Sequence, residues 1–225
     1  MTAHFALPGL LGDVPAGFVR IPTDARHVRR HEPNHTAGWF GPPLDVQGTN
    51  RFDPPHPRRK SEHGVCYLAE HLGGAMHEGV LRGGRRRALS RTSLSANHQI
   101  ADASLLRDLV LIDLVHEPSA HGLEMADLSE RPNLKAKLTI PQGLVYARTQ
   151  TLVGAWLTQN ANAAFPVIGG TVDGILYVSR FSPAQQCIAL WDIAEDALSW
   201  YASIPLGAHA ELETTLALMG IGLLD

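Results

Sequence analysis

Residues 50–82 read NRFDPPHPRRKSEHGVCYLAEHLGGAMHEGVLR, and the prediction of the fold begins from this stretch. An arginine beside an aromatic residue opens it, a basic loop rich in proline follows, and the short apolar run VCYL then contains Tyr67. Arg51, Tyr67 and Glu78 are of the types that hold a phosphate, stack on a flat ring and face a developing cation. Each also has an ordinary interpretation: surface charge for Arg51 and Glu78, and core for Tyr67.

Glu78 lies in a segment whose apolar residues recur at helical spacing, so we predict a helix over residues 69–82. The carboxylate falls at the edge of the apolar face. It therefore either pairs with Arg82 four residues later or points into a cleft. The Gly73-Gly74 pair weakens the helix by about 1 kcal/mol per glycine relative to alanine. Glycine at such a place also indicates close approach of a neighbouring backbone.

The composition is that of a globular protein. The chain has 225 residues, of which 44% are hydrophobic and 18% charged, and a formal net charge of -3 gives no reason to expect nucleic-acid or membrane binding. The two cysteines, Cys66 and Cys187, lie in apolar runs, which predicts buried thiols in a reducing compartment. No apolar run approaches the length of a membrane span, and the N-terminus lacks the features of a secretory signal. We therefore expect a cytoplasmic protein.

The pattern along the chain predicts one domain with an N-terminal arm. Residues 1–17, punctuated by Gly and Pro, are expected to form the arm, and residues 18–225 the domain. Residues 22–57 are dense in Pro, His, Arg, Asn and Gly, which predicts loop and turn. An amphipathic helix is predicted over residues 143–159, and another in the C-terminal segment AHAELETTLALMG.

Strand signals are scattered among these helices. FVRI and VCYL predict short strands, and the run LLRDLVLIDLV is strand-like at its centre. ILYVSRF and CIALWD, joined by the turn SPAQQ, predict a hairpin. Strands and helices are mixed without regular alternation, so an α+β fold is favoured.

Several familiar site motifs are absent from the sequence, including the Walker phosphate loop, GxGxxG and GxSxG. His27, His31 and His35 recur every four residues, which would align them on one helix face. Pro33 interrupts that segment, and no Cys or acidic ligand set surrounds it at zinc spacing, so no metal site is expected. The basic run from Arg85 to Arg91 is interpreted as a solvated loop, with a patch for an anion or an acidic partner as the alternative.

Four short motifs, spread over roughly residues 18–195 and kept in one order, resemble the RES domain, a family named for its Arg, Glu and Ser. They are Arg51-Phe52, Tyr67-Leu68-Ala69, Glu78 eleven residues after that tyrosine, and Tyr177-Val178-Ser179 after Asp173-Gly174. The sequence departs from the family pattern around the arginine. Thr49-Asn50 replaces Gly-Gly, Phe52 and Asp53 replace Trp and Asn, and the basic loop that follows is longer.

The resemblance implies a mixed α+β fold similar to ADP-ribosyltransferases, with short strands and flanking helices. It implies an enzyme that consumes NAD+ as its substrate, a glycohydrolase or phosphorylase, without a metal. Such proteins are typically toxins of bacterial toxin–antitoxin pairs, and the implied partner is a separate helix-turn-helix antitoxin of the Xre type. Two alternatives stay open: a mono-ADP-ribosyltransferase with a protein target, and a non-catalytic binding module on the same fold.

The resemblance also implies roles for single residues. Arg51, Glu78 and Ser179 take catalytic positions, with Glu78 near the sugar carbon whose bond breaks, Arg51 on the pyrophosphate and Ser179 on the ribose or carboxamide. Arg20 and Tyr67 take substrate-binding positions: Arg20 falls where the family often has an early strand arginine, and Tyr67 would stack on the nicotinamide or its ribose. Thr149 and Gln150 are weaker candidates for lining the cleft.

Overall fold

A computed structural model describes residues 17–42, 50–54, 64–81, 87–116, 150, 153–157, 171–179, 182 and 184–225. Several predictions lie outside these ranges: the arm (apart from Gly17), most of the helix at residues 143–159, and the side chains of Arg82, Arg85, Arg86 and Thr149. Residues 153–157 are helical.

The described residues form a large mixed sheet and a small two-stranded one. The strands, in chain order, are β1 (Phe18–Ile21), β2 (Arg26–His31), β3 (Val65–Ala69), β4 (Ala88–Ser90), β5 (Gln99–Leu105), β6 (Leu109–Asp113), β7 (Gly174–Val178), β8 (Gln186–Trp191), β9 (Leu198–Trp200), β10 (Ile204–Pro205) and β11 (Gly222–Leu224). The helices are α1 (Leu72–Gly79), α2 (Arg91–Asn97) and α3 (Leu212–Leu218), with 3-10 helices at Asp192–Ala197 and Leu206–Ala208.

The large sheet has the order β1-β6-β7-β8-β3-β2-β5-β10, with β9 also pairing with β5. Its neighbours are antiparallel except for β6 and β7, which are parallel. The small sheet pairs β11 with β4. Strands that are distant in sequence are therefore neighbours, and helices flank a mostly antiparallel sheet. The α+β prediction is confirmed.

Several local predictions are also confirmed. The run VCYL lies in β3, the hairpin is β7 paired with β8, and the C-terminal helix is α3. The helix after β3 begins at Leu72, three residues later than predicted. It packs closely on β3, since a Cβ at Gly74 would lie 2.9 Å from the Ala69 Cβ. Cys66 and Cys187 are free and buried, as predicted.

The prediction that residues 22–57 lack regular structure is wrong at β2. This strand has the sequence RHVRRH, and His27, Arg29 and His31 are buried on one of its faces. Two of these polar side chains have partners within the fold: Arg29 donates to the carbonyl oxygens of Ala37 and Trp39, and His31 Nε2 is hydrogen-bonded to the Ser203 hydroxyl. Burial alternates along β2 as it does in a strand, but the alternating residues are His and Arg, which usually indicate a surface loop.

Three apolar clusters fill the interior. One joins Phe52 and Tyr177 to the helical residues 153–157, a second lies on the opposite face of the sheet, and a third packs α1 against α2 and α3. Among the helices that the structure describes, none is long and apolar enough to span a membrane.

Candidate functional site

A cavity of about 590 Å³ lies beside β2, β3 and α1. One part of its wall carries Tyr67, Glu78 and Tyr177, and another carries Arg30 with the loop that follows β2. Asn50 and Asp53 also line it. The cavity thus gathers a carboxylate, aromatic rings and a guanidinium around one space.

Glu78 is held by a serine from a distant part of the chain. The Ser179 hydroxyl donates to Glu78 Oε1 at 2.5 Å, although the two residues are 101 positions apart. Glu78 is half-buried on the last turn of α1, and Ser179 is buried just after the end of β7. A hydrogen bond to an ionised carboxylate stabilises the charge and also restricts the orientation of the group. Ser179 therefore orients the Glu78 carboxylate at the cavity wall.

Arg51 lies behind the cavity surface and has few hydrogen bonds. Its guanidinium carbon is 5.5 Å from the Phe52 ring centre and 5.7 Å from that of Tyr177, and one nitrogen is 3.5 Å from the Val178 carbonyl oxygen. The residue is 7% exposed, and none of the described carboxylates forms an ion pair with it. A buried guanidinium in this state is a cation with unused donors, suited to an anionic ligand.

The turn that presents Arg51 is tied by the buried carboxylate of Asp53. This carboxylate accepts from the Asn50 backbone N–H at 2.8 Å and from the Tyr67 hydroxyl at 2.9 Å. The same hydroxyl accepts from the Phe52 backbone N–H at 3.1 Å, and Gln150 donates to the Asn50 carbonyl oxygen at 3.0 Å. Tyr67 therefore both lines the cavity with its ring and anchors the turn with its hydroxyl.

The charges of Glu78 and Arg51 both affect the pKa values of Tyr177 and Cys187. Burial raises the pKa of each of these groups well above its ordinary value, Glu78 raises it further, and Arg51 opposes the shift. Tyr177 and Cys187 are thus neutral at physiological pH. The two charges thus act in opposite directions on the pKa values of the same two buried groups.

The structure does not bring Arg20 to this site. Arg20 pairs with Val110 in the sheet and forms an ion pair with Asp108 at 3.5 Å. The Val110 N–H donates to the Asp173 carboxylate just before β7 begins, whereas Ser179 follows the end of β7. Six residues of extended strand separate these points, about 20 Å. Arg51, Tyr67, Glu78 and Ser179, in contrast, lie together.

The arginine that an early strand contributes to the cavity is Arg30 of β2, which the sequence reasoning passed over. Its aliphatic stem packs on Gly79, where a Cβ would lie 2.6 Å from the Arg30 Cδ. Its guanidinium donates to His98 Nδ1 at 2.9 Å and lies 3.9 Å from the Glu32 carboxylate. The residues of β2 are nearly all His and Arg, so their spacing alone did not show which side chains face α1.

The histidines at residues 27, 31 and 35 do not share a helix face, because the first two lie on one face of β2 and His35 lies in the loop beyond it. Across the described residues, no three His, Cys, Asp or Glu side chains gather in a way that could hold a metal ion. His31 and His35 instead line the cavity.

Comparison with known proteins identifies the family. The RES domain model matches residues 19–213, nearly the whole chain, and the chain belongs to the RES domain family. One solved structure that it resembles is described as the crystal structure of the M. tuberculosis MbcT–MbcA toxin–antitoxin complex. The match has 15% sequence identity and a TM-score of 0.47, and it covers 88% of this chain and 92% of that one. No curated protein matches the chain.

Proposed function

We propose that this chain is an NAD+-consuming enzyme, a glycohydrolase or phosphorylase, that acts as the toxin of a toxin–antitoxin pair. Membership of the RES domain family supports the class of activity. The observation that carries the proposal is the Glu78 carboxylate, fixed by the Ser179 hydroxyl at 2.5 Å in the wall of a cavity large enough for a small-molecule substrate.

The bond that breaks joins the ribose C1 to the nicotinamide nitrogen. Its electron pair leaves with the nicotinamide, which becomes neutral, and the sugar takes on oxocarbenium character. Glu78 stabilises this cation because its fixed negative charge faces the carbon where positive charge develops. An oxygen of water or of phosphate then bonds to C1. In hydrolysis one proton of the water leaves to solvent, and the other stays on the new C1 hydroxyl.

Two arginines supply positive charge for the substrate's pyrophosphate. Arg30 lines the cavity directly, and Arg51 carries its charge behind Tyr177. A guanidinium suits this role because its planar fork matches phosphate oxygens. Arg20 is left out of the proposed site because it lies at the other end of β7, and the Tyr67 ring is assigned to the nicotinamide ribose.

The test is nicotinamide release from NAD+ by the wild type and by Glu78→Gln, each with and without phosphate. Glu78→Gln keeps the shape and removes the charge, so we expect kcat to fall by at least about 10²-fold. Glu195→Gln, an exposed glutamate outside the cavity, is the matched control and should keep full activity. A phosphorylated ribose product assigns phosphorolysis, and an unphosphorylated one assigns hydrolysis.

Two outcomes would contradict the proposal. Unchanged turnover in Glu78→Gln would remove the carboxylate from the chemistry. Transfer of label from NAD+ to protein, without free ADP-ribose or its phosphorylated form, would assign the chain to ADP-ribosyl transfer instead.

The partner proposed for the chain is a separate antitoxin of the helix-turn-helix Xre type, on the basis of the family's usual pairing. Expression of the wild type without an antitoxin should arrest bacterial growth and deplete NAD+, whereas expression of Glu78→Gln should do neither. Growth arrest by both variants would separate toxicity from NAD+ consumption.

A further inference from the structure

A stacked pair of aromatic rings forms the part of the cavity wall that the proposed chemistry leaves unused. The ring centres of His35 and Trp39 are 4.1 Å apart and their planes differ by 10°. Both residues line the same cavity as Glu78 and Tyr67. Stacked rings exposed to a cavity are the usual means by which proteins hold a flat base.

The pair is built in advance of any ligand. Buried Arg29 donates to the Trp39 carbonyl oxygen at 2.5 Å and also to that of Ala37, which fixes the loop between the two rings. The Trp39 ring lies against Gly41, where a Cβ would be 1.9 Å from the ring carbon Cη2. A preformed aromatic surface loses little conformational entropy when it binds a ring, so its stacking energy is retained in affinity.

The register of the sheet places this pair away from Glu78. Gly41, which holds the Trp39 ring, forms a bridge with Val65 at the beginning of β3. Ser179, which holds Glu78, follows Tyr177, and Tyr177 is level with Cys187 and through it with Ala69 at the end of β3. Four residues of strand separate these two ends of β3, about 13 Å.

Arg30 lies between the two ends. Because β2 and β3 are antiparallel and Val28 is opposite Ala69, Arg30 is level with Tyr67 in the middle of β3. The cavity therefore presents a carboxylate at one end, an arginine in the middle and a stacked aromatic pair at the other end. A dinucleotide has the same order of parts: a sugar with a scissile bond, a pyrophosphate and a second flat ring.

We infer that the His35–Trp39 pair is the subsite for the adenine ring of the dinucleotide and makes the enzyme prefer NAD+ to nicotinamide mononucleotide. The inference rests on the proposed function. The pair contributes binding and takes no part in bond cleavage, because it contacts the end of the substrate that does not react. Its removal therefore raises KM for the dinucleotide and leaves kcat unchanged.

The experiment compares two substrates that share the scissile bond, NAD+ and nicotinamide mononucleotide. For Trp39→Leu and His35→Ala we expect the KM for NAD+ to rise roughly 5- to 150-fold, the range that stacking of one base supplies, with kcat kept. The kinetic constants for the mononucleotide should be unchanged, and Trp39→Phe, which keeps an aromatic face, should restore most of the NAD+ affinity. Tyr201→Ala, an exposed aromatic residue outside the cavity, is the matched control.

A direct binding measurement keeps the inference independent of turnover. Adenosine monophosphate should bind the wild type and Glu78→Gln equally, and Trp39→Leu should weaken that binding by the same factor as it raises KM. Equal losses for both substrates, or equal binding of adenosine monophosphate by the wild type and Trp39→Leu, would overturn the inference. If the wild type released nicotinamide from neither substrate, the proposed function would fail, and the adenosine monophosphate titration would still decide the subsite.

Discussion

Arg29 and Arg51 are buried to nearly the same extent, at 5% and 7% exposure, yet their surroundings differ in kind. Arg29 donates to two carbonyl oxygens and to the Cys66 sulfur at 2.8 Å, and its guanidinium lies 5.8 Å from the Trp200 ring centre. Arg51 lies over two aromatic rings and, among the described residues, has one hydrogen bond at the 3.5 Å limit. The fold supplies acceptors for the donors of Arg29, whereas Arg51 meets few acceptors in the part of the chain that the structure describes.

We infer from this difference that Arg29 is structural and that Arg51 is available to a ligand. Burying a cation is costly, and the cost is offset only when its donors find acceptors. Arg29 meets that condition within the protein, so its charge stabilises the loop after β2. Arg51 meets few acceptors among the residues that the structure describes, so we propose that a ligand satisfies it, and the variants below distinguish these two situations.

The largest effect is expected from Arg29→Met. The variant leaves two carbonyl oxygens without donors, each costing about 1–3 kcal/mol, so the free energy of unfolding should fall by about 4 kcal/mol. Urea denaturation with linear extrapolation measures this loss. A loss below about 1 kcal/mol, the size of a surface change, would show that Arg29 is not structural.

A pH dependence is expected from the same face of β2. Burial lowers the pKa of His27 from 6.5 to about 4, so between these values the unfolded chain binds more protons than the folded one. The free energy of unfolding is therefore unaffected by His27 above pH 6.5, and it falls by roughly 3 kcal/mol as the pH drops towards 4. Burial also lowers the pKa of His31, with the same sign. In His27→Leu the urea midpoint should depend less on pH between pH 4 and 6.5 than it does in the wild type. The same pH dependence in both proteins would contradict the lowered pKa of His27.

Arg51→Met should behave in the opposite way to Arg29→Met. The unfolding free energy should change by less than about 1 kcal/mol, because a long apolar side chain can keep the packing against Phe52 and Tyr177. The affinity for ADP-ribose should fall by about 10- to 100-fold, the value of one or two hydrogen bonds to a charged group. Titration calorimetry measures this affinity for the wild type and for Arg51→Met. Arg29→Met, kept folded at low temperature, is the comparison. A large stability loss with full affinity would reverse the roles of the two arginines.

The smallest effect is expected from Tyr67→Phe, which keeps the ring and removes the hydroxyl that joins Asp53 to the Phe52 N–H. The free energy of unfolding should fall by about 1–2 kcal/mol, and the looser turn around Arg51 should raise the KM for NAD+ by about fivefold. Steady-state kinetics beside urea denaturation separate the two effects. Tyr201→Phe, an exposed tyrosine, is the control, and an unchanged KM would mean that the turn holds Arg51 without this bond.

Local patterns predicted the parts of the fold in which apolar periodicity and structure coincide. The strand VCYL, the β7–β8 hairpin and the C-terminal helix follow from spacing and turn residues alone. Strand β2 could not be recognised in this way, because its buried face is made of His and Arg, and tertiary contacts supply the partners of Arg29 and His31. Propensity carries no information about such partners.

The residues of the candidate site also fall into two groups, those that the sequence predicts and those that only the tertiary structure reveals. Arg51, Tyr67, Glu78 and Ser179 were found through short family motifs, and the structure places them together. Arg30 and the His35–Trp39 pair enter the cavity through tertiary contacts, such as the bridge between Gly41 and Val65, that no local spacing encodes. The family resemblance assigns Arg20 to substrate binding because the family often has an arginine in an early strand, and the sheet order places this one elsewhere.

The hydrogen bond between Glu78 and Ser179 has a consequence for synthesis of the protein. The serine leaves the ribosome 101 residues after the carboxylate that it orients. At about 5–20 residues per second, this is a delay of roughly 5–20 s. During that interval the reactive wall is incomplete, because β7 and β8 have not yet joined β3. Under the proposed function, a nascent chain of this length consumes no NAD+ until β7 and β8 have joined the sheet.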